Sequence, residues 1–402
     1  EDYKRRSNSL RNRNSTKGTA TTKTGNKIRV TTGSASLGSS SMTIPNGRIF
    51  EAVFASIKDQ YRFEEELTAE KKSEMIDAAI AAMVKEMGDK YSSYIEPTKA
   101  DAFTAGLAGQ FEGIGAYVEM IDDNFTITSP IKGSPAEKAG VLPDDIVTAV
   151  DGEDIKDKSI QESIALIKGP AETAVTLTIL RGLEVKQITV IRGKITIPSV
   201  TIKWDKSIPV IGIHQFNRDT KAKFEKILKE EVLTKNPKGL VIDLRNNPGG
   251  FLTSAVSMGE FFLNKGDLVF SVDYKKGGQE YTSSRKGELY DFWKKDGKKI
   301  AILQNKGSAS ASEIFTTMIQ DYNIGEIVGT VSRGKGTVQE VKNYSNGGIL
   351  KLTIAKWLSP KGRWIHEKGI IPGIEVEDPT AEERKAKIDL QFDRAVRYVL
   401  GG

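Results

Sequence analysis

The sequence contains no cysteine, and its 402 residues include only two histidines, His214 and His366. The absence of cysteine excludes disulfides, thiolate metal sites and a cysteine nucleophile. It does not distinguish an oxidising compartment from a reducing one. Two histidines are also too few for a histidine-rich metal cluster. No stretch approaches the roughly 18 consecutive apolar residues of a membrane span. Because the chain opens without methionine, we expect that any signal or anchor has been removed.

The composition predicts a folded chain with more than one domain. Hydrophobic residues make up 38% of the sequence and charged residues 28%, which is typical of globular proteins. A length of 402 residues is two to three times that of a usual domain.

Positive charge is concentrated at the N-terminus. Residues 1–44 hold nine Lys and Arg against two Asp and Glu, a net charge of +7, and the remaining 358 residues sum to −1. The Ser-, Thr- and Gly-rich composition of residues 1–44 predicts a disordered tail, with contact to anionic lipid or wall polymer as the alternative. The rest of the chain has no basic stripe interleaved with aromatics, so nucleic-acid binding is not expected.

Hydrophobic spacing divides the remaining chain into regions. Two amphipathic helices are predicted after Pro45, and short β-rich runs begin at Phe111 with one helix at Ile160–Lys168. From about Ile208 strands alternate with helices, which favours an α/β core, and an amphipathic segment at Arg384–Leu400 closes the chain. The predicted core elements include strands at Gly239–Leu244 and Ile300–Gln304 and helices at Leu252–Phe262 and Ser312–Tyr322. The predicted boundaries are 1–44 for the tail, 45–107 for a helical region, 108–195 for the β-rich module, 196–378 for the α/β core and 379–402 for a C-terminal helix.

A glycine-rich turn, Glu112-Gly-Ile-Gly-Ala, opens the β-rich module. Successive N–H groups beside flexible glycines can hold a carboxylate, and the neighbouring strand edge can pair with an extended peptide; ordinary hairpin turns are the alternative. The module as a whole, with the helix at Ile160–Lys168 as the wall of a groove, resembles a PDZ domain. That resemblance implies peptide binding by Phe111, Gly113, Ile114, Gly115 and Ala116.

Three loops of small residues follow apolar strands in the predicted core. Asp243-Leu-Arg-Asn-Asn-Pro-Gly-Gly250 leads into a helix, where free N–H groups can stabilise a developing negative charge. Lys306-Gly-Ser-Ala-Ser-Ala-Ser-Glu313 would let a substrate backbone approach a serine. Ser332-Arg-Gly-Lys-Gly-Thr-Val-Gln339 would place Lys335, Thr337 and Gln339 on one face of an extended segment. Each loop alone is also compatible with a purely structural connection.

A serine nucleophile needs a base, and the sequence offers two kinds. His366 could serve in a Ser-His-Asp triad or be merely structural. Lys335 could serve if burial and neighbouring positive charge lower its pKa by roughly three pH units from about 10.4. The same stretch is not a P-loop, because Gly336 stands where Ser or Thr is needed and a strand follows.

Taken together, the PDZ-like module and the three loops resemble the C-terminal processing peptidases, also called tail-specific proteases. The resemblance runs from about Ile49 to the final helix and includes Asp89-Lys-Tyr-Ser-Ser-Tyr94. It implies a multidomain α+β fold. In that fold a PDZ domain is inserted before an α/β serine protease core of the ClpP/crotonase type, and helices lie at both ends.

The resemblance also implies a Ser-Lys dyad. Ser310 would be the nucleophile, Lys335 the general base and Gln339 the residue that holds the lysine in place. The backbone N–H groups of the oxyanion hole would come from Ala311 and from either Gly249 or Gly250. No metal, nucleotide or organic cofactor is implied.

Further expectations come from the same resemblance. Lys168 stands where many members carry Arg, at a position that can couple the PDZ groove to the catalytic centre. Expected partners are unfolded or C-terminally exposed protein substrates and a second copy bound through the N- and C-terminal helices. The expected location is extracytoplasmic, such as a bacterial envelope, periplasm or cell surface. The alternative function is a catalytically silent PDZ scaffold that binds C-terminal peptides.

Overall fold

The computed structural model describes residues 46–401 except for residues 108, 122, 132, 197, 381, 384, 385 and 387. The predicted basic tail at 1–44 therefore lies outside the described residues, as does part of the predicted segment Arg384–Leu400. None of the described helices combines the length and the apolar composition needed to cross a membrane.

Two helices open the described part, as the sequence predicts. The elements are α1 (Gly47–Gln60), a 3₁₀ turn (Glu64–Glu66), α2 (Ala69–Lys85), β1 (Ser93–Ile95) and α3 (Pro97–Leu107). The Thr68 hydroxyl caps α2 by accepting a hydrogen bond from Lys71 N at 3.2 Å, as its position before a charged first turn predicts. β1 and α3 were not predicted from the sequence.

The β-rich module contains an antiparallel sheet and a separate two-stranded sheet. Its elements are β2 (Gln110–Gly113), β3 (Ala116–Ile121), β4 (Asn124–Pro130), α4 (Pro135–Lys138), β5 (Ile146–Val150), β6 (Glu153–Asp154), α5 (Ile160–Ile167), β7 (Ala174–Arg181), β8 (Glu184–Ile191) and β9 (Gly193–Thr196). The strand order is β3-β4-β5-β7-β8, with β6 on β5, while β2 pairs with β9. Buried side chains from these strands, such as Ile127 and Leu177, form one core with Ile167 of α5.

Arg192 ties the end of α5 to this sheet. Its buried guanidinium donates to the carbonyl oxygens of Ile167 (2.8 Å), Leu166 (3.1 Å) and Ala174 (2.9 Å). Because a cation at a helix C-terminus satisfies carbonyls that have no intrahelical partner, this side chain holds α5 in a defined place beside the sheet.

A central parallel sheet forms the core of the second half. Its strands are β10 (Val200–Asp205), β11 (Ile208–Ile213), β12 (Gly239–Asp243), β15 (Lys299–Gln304), β16 (Glu326–Gly329) and β19 (Ile374–Glu375), in the order β10-β11-β12-β15-β16-β19. Only the β10–β11 pair is antiparallel. The central strands read as continuous apolar runs because both faces are covered. The covering helices are α6 (Thr220–Ile227, extended by a π turn Leu228–Val232 and α7, Leu233–Lys235), α8 (Leu252–Gly259), α10 (Ala311–Asp321) and α11 (Leu390–Val399).

A second sheet flanks this core. It is built from β1, β13 (Leu268–Tyr274), β14 (Gly278–Thr282), β17 (Thr337–Asn343) and β18 (Ile349–Leu358), and the short helix α9 (Tyr290–Lys294) lies between β14 and β15. The long strand β18 pairs with β1, β13 and β17. Strand β18 therefore links the N-terminal region to the segment that follows Lys335.

Two predicted boundaries differ from the structure. The helix expected at Leu252–Phe262 ends at Gly259, because Phe261 N and Phe262 N donate to carbonyls only three residues back, Met258 O and Gly259 O. The segment expected at Arg384–Leu400 is described as a helix only from Leu390 onward.

Candidate active site

Three loops meet at the carboxyl edge of the central sheet. They run through residues 244–251 after β12, 305–310 after β15 and 330–336 after β16. Because β12, β15 and β16 are adjacent parallel strands, their carboxyl ends lie side by side, at the edge where open α/β sheets bind ligands. Asn246 N donates to Asn305 Oδ1 at 2.9 Å and so joins the first two loops.

Ser310 occupies the turn from the second loop into α10. Its backbone has φ 56° and ψ −115°, values that a residue other than glycine rarely adopts and that are often retained at functional sites. The neighbouring serines have structural partners. Ser308 Oγ donates to Leu244 O (2.8 Å) and Ser312 Oγ donates to Asn247 O (3.0 Å). Ser308 and Ser312 therefore bind the 244–247 backbone, whereas no described hydrogen bond joins Ser310 to that segment.

Gly249 and Gly250 lie against the Ser310 turn. Gly249 has φ +99°, and a Cβ built on it would come within 2.9 Å of Ala311 N, so only glycine fits without displacement. Gly249 N donates to Asn247 Oδ1 at 2.9 Å. Across the described part of the chain, no hydrogen bond uses Gly250 N or Ala311 N as a donor. The amides of Gly250 and Ala311, one on each side of this contact in the chain, therefore have no described acceptor.

The buried carboxylate of Glu313 connects the Ser310 turn to the Lys335 loop. Its Oε2 atom accepts from Ser310 N (2.7 Å) and Lys335 N (2.9 Å), and its Oε1 atom accepts from Gly334 N (2.6 Å) and Ser332 Oγ (2.6 Å). Glu313 is 0% exposed. Sequence reasoning gave it no role, although Ser310-x-x-Glu313 has the spacing of a capping box. Because one oxygen binds both amides, Ser310 and Lys335 are spatial neighbours.

The environment of Lys335 favours a neutral amine. Burial, followed by the positive charge of Lys351, lowers the pKa of Lys335 to about 8, while Glu313 and Asp89 raise it. The amine nitrogen lies 5.3 Å from the centre of the Tyr91 ring. A pKa of about 8 leaves a usable fraction of unprotonated lysine near neutral pH.

The arrangement predicted around Gln339 differs from the structure at Lys335. β17 begins at Thr337, so Lys335 precedes the strand, while Thr337 and Gln339 lie on one face as predicted. Gln339 Nε2 donates to Thr337 Oγ1 (2.9 Å) and Thr353 Oγ1 (3.1 Å). No hydrogen bond in the described part joins Gln339 to the Lys335 amine, so its orienting role stays a prediction.

The two histidines have other partners. His366 Nδ1 accepts from Gly336 N at 3.3 Å, and His214 Nε2 shares a hydrogen bond with Thr201 Oγ1 at 2.9 Å. Burial lowers the pKa of His214. Within the described residues neither histidine is hydrogen-bonded to Ser310, so the geometry does not favour a Ser-His-Asp triad. The described ranges also contain no group of three His, Asp or Glu side chains arranged to hold a metal ion.

The predicted peptide-binding loop joins the two-stranded sheet to β3. Phe111 and Gly113 lie in β2, Ile114 and Gly115 form the turn, and Ala116 opens β3. Ala136 N donates to Ile114 O at 2.8 Å and holds the turn against α4. β3 is an edge strand, so one side of its backbone can accept another strand. The Lys168 amine lies 5.3 Å from the centre of the Phe111 ring, beside this loop.

We predict that Glu313→Gln destabilises the fold by about 2–4 kcal/mol, because the amide has a single acceptor oxygen and turns an NH₂ group toward N–H donors. Urea denaturation measures the loss. Ser332→Ala is the control, since it removes one of the four hydrogen bonds to Glu313 together with the one that Ser332 Oγ accepts from Ile370 N, and should cost about 1–2 kcal/mol. Equal losses in the two variants would show that the carboxylate is not the link between the loops.

Comparison with protein families matches residues 207–376 to "Peptidase family S41" and residues 126–181 to "PDZ domain". The PDZ match covers β4 to β7 of the antiparallel sheet, and the peptidase match covers the central sheet from β11 to β19. The predicted fold class, a multidomain α+β chain with a PDZ domain before an α/β protease domain, is confirmed.

Curated relatives carry consistent names. A CtpA-like serine protease of Staphylococcus aureus (strain COL) is 41% identical over 307 residues, which cover 75% of this chain and 60% of that protein. A CtpA-like serine protease of Staphylococcus epidermidis is 36% identical over 340 residues, which cover 83% of this chain and 66% of that protein. The chain therefore spans about 60% of the length of the Staphylococcus aureus relative.

Two solved structures share the fold. The photosystem II D1 C-terminal processing protease matches with a TM-score of 0.53 and 22% identity, over 83% of this chain and 94% of that one. An S41 protease from Bacteroides fragilis NCTC 9343 matches with a TM-score of 0.55 and 15% identity, over 87% and 97%. At these identities the matches show the fold alone. The family models and the Staphylococcus relatives show more: the chain belongs to peptidase family S41 and contains a PDZ domain.

Proposed function

We propose that the protein is a serine endopeptidase that uses Ser310 and Lys335 as a catalytic dyad. The observation that carries this proposal is the shared Glu313 oxygen, which binds the backbone amides of both residues. The lowered pKa of Lys335 supports the same assignment, because a general base must be unprotonated to act.

The proposed reaction proceeds in two steps. Neutral Lys335 takes the proton of Ser310 Oγ as that oxygen attacks the scissile carbonyl carbon, and the resulting ammonium gives a proton to the leaving amine. The product is an acyl-enzyme. Lys335 then takes a proton from water, the resulting hydroxide attacks the ester carbonyl, and the proton returns to Ser310 as the acid is released.

Backbone amides would stabilise the negative oxygen of each tetrahedral intermediate. Ala311 N is the first donor, because it follows the nucleophile at the start of α10 and has no described acceptor. The second donor would be Gly249 or Gly250. Gly249 N is already bonded to Asn247 Oδ1, which favours Gly250 N.

The PDZ domain would select substrates by their C-terminal tails. The support is the turn at 113–116 beside the open edge of β3, where a carboxylate and an extended strand can be bound together. Substrates would therefore be unfolded proteins or proteins with an exposed C-terminus. Coupling of this groove to the catalytic centre through Lys168 stays a prediction.

The proposal also covers self-association and location. Ile49 and Val53 on the apolar face of α1 are 61% and 53% exposed, which supports a homodimer through the N-terminal helix. On α11, by contrast, Ala395 and Val399 are buried against the central sheet. An extracytoplasmic location, with membrane or wall contact, is proposed from the resemblance alone.

We predict that Ser310→Ala and Lys335→Ala each reduce cleavage of an unstructured protein with an apolar tail by at least about a thousandfold. Ser345→Ala and Lys342→Ala, at exposed positions between and along β17 and β18, are the matched controls and should retain activity. Circular dichroism would show that all four variants fold. Cleavage that survives either of the first two substitutions would exclude the dyad, and tight binding without cleavage by the intact chain would favour the silent scaffold.

The pH dependence of kcat/KM tests the role of Lys335. Because the unprotonated amine is the active form and its pKa is about 8, activity should rise about tenfold per pH unit below that value and level off above it. Initial rates between roughly pH 5.5 and 10 check this, with folding monitored at each pH. A rate that falls as pH rises through 8 would contradict a lysine base.

Tail recognition can be measured without cleavage. We predict that Ser310→Ala binds a peptide with a free C-terminal carboxylate at least about tenfold more tightly than the same peptide with a C-terminal amide, because the amide removes the charged acceptor. Fluorescence anisotropy with the two labelled peptides gives both affinities. Equal affinities would remove the carboxylate from the proposal and leave sequence or strand pairing as the determinant.

A further inference from the structure

The segment 89–92, which precedes the PDZ domain in the chain, lies against the side chain of Lys335. The Lys335 nitrogen is 5.3 Å from the centre of the Tyr91 ring, within the range of a cation–π interaction. Across the described residues, no hydrogen bond or ion pair ends on this amine. Gln339, the residue expected to hold the lysine, uses its amide nitrogen to bind Thr337 and Thr353, and its role toward Lys335 stays a prediction.

The backbone of this segment is held firmly in place. The carboxylate of Asp89 accepts from Tyr91 N at 3.0 Å and from Ser92 Oγ at 2.6 Å. Ser92 Oγ in turn accepts from Thr353 N of β18 at 2.9 Å. Because β18 also pairs with β17, which begins two residues after Lys335, the tyrosine and the lysine are anchored to one sheet.

Several charged or titratable groups surround the amine from different elements. They are Glu313 on α10, Lys351 on β18, Asp89, Lys90 and Tyr91 on the segment 89–92, and His366, whose ring centre is 5.9 Å from that of Tyr91. The Lys90 amine also lies over the Tyr91 ring, 5.2 Å from its centre, and competes with Lys335 for it. Their effects oppose one another. The face of an aromatic ring attracts the protonated amine, whereas the charge of Lys351 repels it.

We propose that Tyr91 is a positioning residue that holds the Lys335 amine against its ring and stabilises the ammonium formed when Ser310 loses its proton. This inference rests on the proposed dyad. A ring face attracts the ammonium without using any of its three N–H donors. All three hydrogens therefore stay available for Ser310 Oγ and for the leaving amine, which a carboxylate or amide partner would not allow.

A direct titration of Lys335 tests the proposal without relying on catalysis. Carbon-13 at Cε of the lysines is followed by NMR against pH, and Lys335→Ala assigns the signal. In Tyr91→Leu, which fills the space without a π face, the midpoint should fall by about half a pH unit or more, because the protonated form loses its partner. In Tyr91→Phe it should stay close to that of the wild type.

Two further variants test the direction of the midpoint change and whether it is specific to Tyr91. Lys351→Met should raise the midpoint, because it removes a neighbouring positive charge. Tyr94→Leu is the matched control. Tyr94 lies in the neighbouring strand β1, and its hydroxyl donates to Asp77 at 2.8 Å, so its loss disturbs the region without touching the amine. The midpoint of Lys335 should not move in that variant.

If Tyr91→Leu fails to fold, p-cyanophenylalanine at position 91 keeps the shape of the ring and withdraws electrons from its face. A lower midpoint than in Tyr91→Phe supports the proposal. An unchanged midpoint in both the leucine and the cyano variants overturns it.

The rate measurement adds the catalytic consequence. We expect kcat of Tyr91→Leu to fall about tenfold, with KM little changed, and Tyr91→Phe to restore most of it. Equal rates in Tyr91→Leu and wild type would overturn the positioning role. Activity that survives in Lys335→Ala would instead refute the dyad, and the titration would still report whether Tyr91 binds the amine.

Discussion

One buried carboxylate organises the catalytic region. Burying a charge is costly unless it is fully hydrogen-bonded, and Glu313 meets this condition with four donors from two separate segments. The same bonds attach the first turn of α10 to the loop after β16. The backbones of Ser310 and Lys335, the proposed dyad, therefore cannot shift independently. The strained backbone of Ser310 is compatible with stable folding because Glu313 holds its amide in place.

The electrostatics of Lys335 combine opposing influences. Burial and Lys351 lower the pKa of Lys335 and favour the neutral amine that the proposed base requires, whereas Glu313 and Asp89 raise it and favour the ammonium. The Tyr91 ring, as proposed above, would add to the second influence. A site with only the first influence would disfavour the ammonium formed in the transition state. One with only the second would keep the lysine protonated. The balance between them places the pKa of Lys335 at about 8, so that both the neutral and the protonated amine are populated near neutral pH.

The elements that could be predicted from sequence are those with strong apolar patterns. The strands predicted at Gly239–Leu244 and Ile300–Gln304 and the helix predicted at Ser312–Tyr322 are found at 239–243, 299–304 and 311–321. β14 was missed because Gly278–Thr282 is a polar, exposed edge strand without alternation. β2 and β9 were missed because each has only four residues. Each pairs with the other, which lies at the opposite end of the β-rich module in the chain.

By itself the sequence determined the order of the regions, the PDZ and protease resemblance, and the three small-residue loops that contain Ser310, Lys335 and the two glycines. These features depend on local spacing and residue type, so they can be seen without coordinates. Only the tertiary structure decided that Glu313 bridges the loops of Ser310 and Lys335 and that Tyr91 reaches Lys335. Both contacts join segments that are distant in the chain, and no local pattern encodes which strands become neighbours in a sheet.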